Sequence, residues 1–395
     1  MAAKDAFRVL IAGGGVAALE ATLALRALAE ERVQIQLIAP ETEFWYRPLA
    51  VLEPFGLGRV HALELADLAH ACGVGFDLAS LAEVDPGAGR ARTAAGAEYE
   101  YDALVIACGA LPREALPGAF TFRGPADTDA YRRLVDELAS DGPSQLVFAV
   151  PGGTGWALPL YELALLTAQF FDNRGAQEIE VALVTHEAVP LALLGPEASG
   201  AVGELLAKRR ISVHTGRYAV AINGARLHFA PHGSIAADRV VAMPRLEGPA
   251  ISGLPHDRDG FIPTDMSGRV VGVGDVYAAG DATAFPVKQG GLAAQQADAV
   301  AEAIAAWAGA PVAPQPFRPI IRGLLLTGGA PTFVRAEIAG GAGAPSVAAT
   351  EPLWWPPSKI VGRYLAPFLA EHAGAILSPP TDLGALRVER ELEPV

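Results

Sequence analysis

The run Phe7-Arg8-Val9-Leu10-Ile11-Ala12-Gly13-Gly14-Gly15-Val16-Ala17-Ala18-Leu19-Glu20 constrains this chain more than any other stretch. A short apolar run enters a glycine turn and an alanine-rich helical pattern leaves it, which predicts a strand over 7–12 and a helix over 16–29. Gly13 and Gly15 let the backbone turn sharply and approach a pyrophosphate, and the small Ala18 lets the helix pack against its own strand. The first amides of that helix, including those of Val16 and Ala17, lack partners within it and face an anion. The expectation is the first unit of a dinucleotide-binding fold.

The same grammar continues. Val33 to Ile38 reads as the second strand. An acid near the end of such a strand commonly holds the adenosine ribose. Here the chain runs into Ala39-Pro40-Glu41, so Glu41 is the candidate, two places late, with a plain surface position as its alternative. Residues 80–106 read as short strands with turns at Asp85-Pro86-Gly87 and Ala95-Gly96. After Leu111-Pro112 the pattern restarts: an apolar run at 145–150, the turn Pro151-Gly152-Gly153-Thr154-Gly155-Trp156, an apolar helix from about Pro159 to Phe171, and a strand over 179–184. That repeat predicts a second dinucleotide-binding unit.

Composition narrows the function. A chain of 395 residues holds two or three domains. The net charge of −14 argues against nucleic acid and anionic lipid as partners. There is no membrane-spanning run and no signal-peptide pattern, so the expected location is cytoplasmic. No His, Cys or carboxylate cluster has metal-ligand spacing, so no metal is expected. The two cysteines, Cys72 and Cys108, form no C-x-x-C or C-x-x-x-x-C pair, which removes a thiol–disulfide relay. Cys72 reads as a small buried residue.

Three ordered pieces resemble the pyridine nucleotide-disulfide oxidoreductase superfamily of FAD enzymes: the first turn, the strand end Tyr101 to Ala110, and Val276-Tyr277-Ala278-Ala279-Gly280-Asp281-Ala282. Within it, Pro159 to Glu162, Leu183 to Glu187, Lys288 to Gln296 and Trp354-Trp355-Pro356-Pro357-Ser358-Lys359 resemble the branch of sulfide:quinone reductases, flavocytochrome c sulfide dehydrogenases and type II NADH dehydrogenases. The resemblance implies FAD held by Gly280 and by Asp281 on a ribityl hydroxyl. It also implies contacts from the Ala107-Cys108-Gly109 strand end, from Arg47 and Pro48 in the aromatic loop at 44–49, and from the backbone of the 80–106 meander at Val84. Two departures stand against it. No cysteines match the sulfur-carrying positions of the sulfide enzymes. In the second turn Trp156 is bulky, and Thr185 stands where an NADH-binding acid would, with Glu187 two places on.

The chemistry follows from few residues. Gln289 and Gly290 open a helix whose positive end is aimed at reduced-flavin charge. Lys288, one of only four lysines, stabilises the same charge. Glu162 lies in an otherwise apolar helix and is the candidate proton carrier, with the helix's polar side as its alternative. Ile360, Val361, Tyr364, Leu365, Phe368 and Leu369 recur at helical spacing, interrupted by Pro367. A core-covering or dimer-contacting helix is set there against a quinone pocket touching a membrane surface.

The expected fold is α/β: two Rossmann-like domains, with FAD bound by 1–112 and 255–325, an NAD(P)-binding-like domain at 113–254 inserted between them, and a C-terminal cap at 326–395. The expected function is an FAD-dependent oxidoreductase passing electrons from a small donor, NAD(P)H or reduced sulfur, to a quinone or similar acceptor. A flavin-binding redox sensor or an electron-transfer subunit is the alternative, and a homodimer stays open.

Overall fold

A computed structural model of the chain describes residues 6–328, 346–349, 354, 356, 358–373 and 385–392. In chain order its α-helices are α1 (Val16–Ala29), α2 (Leu65–Ala71), α3 (Thr128–Asp141), α4 (Leu158–Arg174), α5 (Pro196–Lys208), α6 (Gly290–Trp307) and α7 (Leu365–Ala373).

Two five-stranded sheets organise the chain. The first runs Val276–Ala278, Ala103–Ile106, Phe7–Ala12, Val33–Ala39, Gly75–Leu78, every neighbouring pair parallel, with Ile11 opposite Leu37. Its central strands are apolar without alternation because both faces are covered, as parallel sheets require. One cover is an alanine seam. Ala17, Ala21 and Ala24 of α1 and Ala297, Ala301 and Ala305 of α6 are buried in one cluster, and small side chains let two helices lie close on the sheet. The second sheet runs Phe120–Thr121, Arg239–Ala242, Gln145–Ala149, Glu180–Val184, Ser212–His214, again all parallel. α4 is apolar all round and correspondingly buried. The chain leaves the first sheet at Leu111–Arg113 and returns along Arg245–Glu247, and these segments pair antiparallel with an Arg113–Glu247 ion pair at 3.0 Å.

The residues 80–106 form the expected meander, Leu81–Asp85, Arg90–Thr93 and Glu98–Glu100. Ile320–Leu326 pairs antiparallel with Ala385–Glu391. Two sequence readings need correction. Pro367 does not interrupt a helix: it lies in the first turn of α7, where its missing N–H has no intrahelical partner to lose. Cys72 is half-buried at the end of α2, not enclosed. Leu365 and Leu369 of α7 are buried in the main core, whereas Trp355 and Pro357 of the aromatic motif lie outside the described residues. No helix among the described residues is long and apolar enough to cross a membrane.

A cavity between two glycine turns

The first turn is built for a ligand. Gly13 has φ +133°, its amide donates to the Ile38 carbonyl at 2.8 Å, and a Cβ there would lie 2.1 Å from the Ala107 carbonyl oxygen. Only glycine fits. Gly15 is different: its backbone is ordinary (φ −91°), it is exposed, and a Cβ there would meet nothing within 4 Å. The space in front of the α1 amides of Val16 and Ala17 is therefore open, as an incoming pyrophosphate needs. Gly109, with φ +70°, faces equally open space at the next strand end. Between them Cys108, exposed at the strand end, donates its thiol to the Ala12 carbonyl at 3.3 Å, with Glu41 nearby disfavouring the thiolate. Glu41 itself is exposed beside this strand end.

A cavity of about 450 Å³, bordered by Ala110 just past that strand end, lies between the two sheets. Asp281 borders it, following Gly280 (φ +76°), whose amide donates to Gln296 at 2.7 Å. Burial pushes the Asp281 carboxyl above its ordinary range, and the charges of Lys288 and Arg47 pull it back. A desolvated carboxylate facing a cavity lined by cations suits a hydroxyl-rich ligand. Lys288 donates to the Thr283 carbonyl and sits 3.8 Å from the centroid of the Phe261 ring. Desolvation lowers it to about 8 against the pull of Asp281 and Asp257. The Gln289 side chain caps α6, accepting from the Leu292 amide at 2.9 Å, and donates to the Arg322 carbonyl at 3.0 Å. Gly290 admits Ile360, whose Cγ1 would be 3.1 Å from a Cβ. Together, the open space at Gly15 and the desolvated Asp281 carboxyl bordering the cavity fit the expected FAD.

Val84 stands apart. Its side chain is buried beneath the first sheet with Ile106 and Ile262, and its amide is committed to the Ser252 carbonyl at 2.9 Å, so it offers a cofactor no donor.

Glu162 is also not where the sequence expectation puts it. It is fully buried and does not border the cavity. Lys359 stands between, its Nζ 2.6 Å from both carboxylate oxygens and 3.2 Å from the Pro48 carbonyl, while the Leu326 amide donates to Glu162 at 2.8 Å. Burial pushes each partner toward its neutral form and each holds the other toward its charged one. Sequence reasoning leaves Lys359 unassigned. The available signal was a buried acid that needs a cation in a lysine-poor chain. The loop carrying Lys359 is tied down by the buried Tyr46, whose hydroxyl accepts from the Ile360 amide at 3.0 Å.

Across the cavity lies the second turn. Gly153 (φ +80°) and Thr154 border it, and the Thr154 hydroxyl is buried without a partner among the described residues. Gly155 serves packing: a Cβ there would lie 2.1 Å from the Pro286 carbonyl oxygen. The Trp156 ring tip lies against Gly323, 3.7 Å from where a Cβ would stand. Past the second strand, Glu187 accepts from the hydroxyls of Tyr161 at 2.8 Å and Thr185 at 3.0 Å, and His186 stacks on Tyr218 with centroids 5.4 Å apart.

Comparison with known proteins gives the family and the fold. The sequence profile of the family described as "Pyridine nucleotide-disulphide oxidoreductase" matches residues 7–307. An NADH dehydrogenase-like protein of Mycobacterium tuberculosis is 29% identical over 234 residues, covering 56% of this chain and 58% of that protein. Among solved structures, the sulfide:quinone oxidoreductase of Aquifex aeolicus superposes with a TM-score of 0.69 at 22% identity, covering 76% of each chain. The ferredoxin reductase for the CYP199A2 system of Rhodopseudomonas palustris does so at 0.62 and 20%, covering 86% of this chain and 87% of that one. NDH2 of Plasmodium falciparum does so at 0.57 and 15%, covering 70% and 64%.

Proposed function

The chain belongs to the pyridine nucleotide-disulphide oxidoreductase family, and from that premise we propose that it is an FAD-dependent enzyme taking two electrons from NADH and passing them to a quinone. The observation that carries this reading is the shared cavity: Asp281 and Lys288 border it from the first sheet, Gly153 and Thr154 from the second. Residues 1–112 and 255–325 are read as the FAD unit and 113–254 as the donor unit.

FAD, when bound, supplies the two-electron chemistry, and the protein supplies position and charge. Arg47, Arg123, Lys288, Arg322 and Lys359 border the cavity against Asp281, a balance suited to phosphates and to negative charge on a reduced ring. The Glu162–Lys359 pair holds a proton at the wall, with Lys359 as the group that meets the acceptor. Trp156, Leu324 and Ile360 give that wall an apolar side suited to a quinone ring. A sulfur donor is disfavoured because neither cysteine borders the cavity. Quinone and NADH also fit the Aquifex and Mycobacterium relatives.

In this reading Glu187, which accepts from Tyr161 and Thr185, also accepts from a ribose hydroxyl and repels a 2′-phosphate. With a soluble quinone as acceptor, kcat/KM is expected to favour NADH over NADPH by at least about tenfold, the worth of one charge-assisted hydrogen bond. Glu187→Ala narrows that ratio. Equal use of both dinucleotides by the unaltered protein would remove Glu187 from the donor site.

A further inference from the structure

A pair of neighbouring acids, one buried and one half-buried, lies away from the cavity. Glu20 of α1 is fully buried and accepts from the amides of Tyr364 and Leu365, both at 2.8 Å, at the start of α7. The approach is close enough that a Cβ on Gly362 would lie 2.3 Å from Glu20 Oε2. Asp298 of α6 stands beside Glu20, and its Oδ1 is buried with no donor facing it among the described residues. Two carboxyl groups side by side, one with an orphaned oxygen, are satisfied when one proton lies between them.

We propose that Glu20 and Asp298 share one proton and thereby position the segment 358–365, which carries Lys359, against the rest of the protein. Glu20 is the positioning residue: its two backbone contacts fix residues 364–365, five and six residues beyond Lys359. The groups facing the pair are Glu302 on α6 and Arg363 and Tyr364 ahead of α7. Arg363 also pairs with Glu302 at 3.4 Å. Without the shared proton, Glu20, Asp298 and Glu302 confront one another with Arg363 as the facing cation. Neither Glu20 nor Asp298 borders the cavity.

The sign of the effect follows from burial and the neighbouring Glu20, which raise the Asp298 carboxyl to about 8, whereas in an opened segment it titrates near its ordinary value of 3.8. The closed form therefore holds an extra proton between those limits. Closure is strongest at the acid end and weakens as pH rises toward about 8, then levels off.

Hydrogen exchange of the FAD-loaded protein, followed by mass spectrometry on peptides covering 359–369, tests this. Protection factors corrected for intrinsic exchange are expected to fall by up to about tenfold per pH unit between pH 5 and 8, the slope of one proton. Above pH 8 they flatten. Asp298→Asn, nearly the same shape and unable to ionise, removes the slope. A pH-independent protection factor in the unaltered protein, or an undiminished slope in the variant, overturns the proposal. The consequence for Lys359 rests on the function proposed above, but the exchange measurement does not. It can fail while NADH still reduces the protein, and succeed if NADH does not.

Discussion

Lys359→Met is expected to destabilise the protein by about 3–5 kcal/mol at pH 8, because it strands the Glu162 carboxylate with a single backbone donor inside the buried stretch of α4. The loss is not the worth of the ion pair, which is small after both charges are desolvated. It is the cost of an uncompensated buried charge. Two further results separate these. The double variant Lys359→Met, Glu162→Gln recovers most of the stability, since the amide still accepts from Leu326 and carries no charge. The single variant's penalty shrinks toward pH 5. With Lys359 gone, burial holds the Glu162 carboxyl above its ordinary 4.5, so the folded form binds a proton that the unfolded form has released, and stability falls as pH rises through that window. Thermal unfolding of the three variants at pH 5 and pH 8 reads this directly. A single-variant loss under about 1 kcal/mol at pH 8 would show that Glu162 reaches water in solution.

The two glycines of the first turn are expected to behave oppositely. Gly13→Ala forces a Cβ against the Ala107 carbonyl at a φ that only glycine adopts readily. Backbone strain of this kind is worth about 1–3 kcal/mol, and the displaced carbonyl belongs to a central strand end, so the apoprotein itself should lose stability. Gly15→Ala adds a methyl to open space on ordinary backbone, so the apoprotein should melt where it did before, with FAD retention after gel filtration falling at least tenfold. Equal loss of apoprotein stability in both, or full flavin loading of Gly15→Ala, would contradict the placement of the pyrophosphate in front of α1.

How much of this was legible in sequence depends on how local the signal is. The strand at 7–12 and α1 at 16–29 follow from one apolar run, one glycine turn and one alanine-rich period, all within the twenty-three residues 7–29. The parallel order of both sheets follows from the repeat of that unit. What could not be read is what distant segments do to one another. Glu162 and Lys359 are 197 positions apart, and nothing in either segment names the other. Gly155 looks like a phosphate-turn glycine and is instead kept small by Pro286, from a loop 131 positions away. Val84 lies in a strand whose period is right, but Ser252 takes its amide. Trp156 looks obstructive in a turn and is turned onto Gly323, a contact visible only once Ile320–Leu326 is in place.

The most direct test of the central claim is an anaerobic titration of the FAD-loaded protein with NADH, following the oxidised-flavin absorption band. Bleaching is expected to be complete at about one equivalent of NADH, with the band restored on adding a soluble quinone. A band unchanged by excess NADH, in protein that a chemical reductant still bleaches, would contradict the assignment of the second turn to the donor.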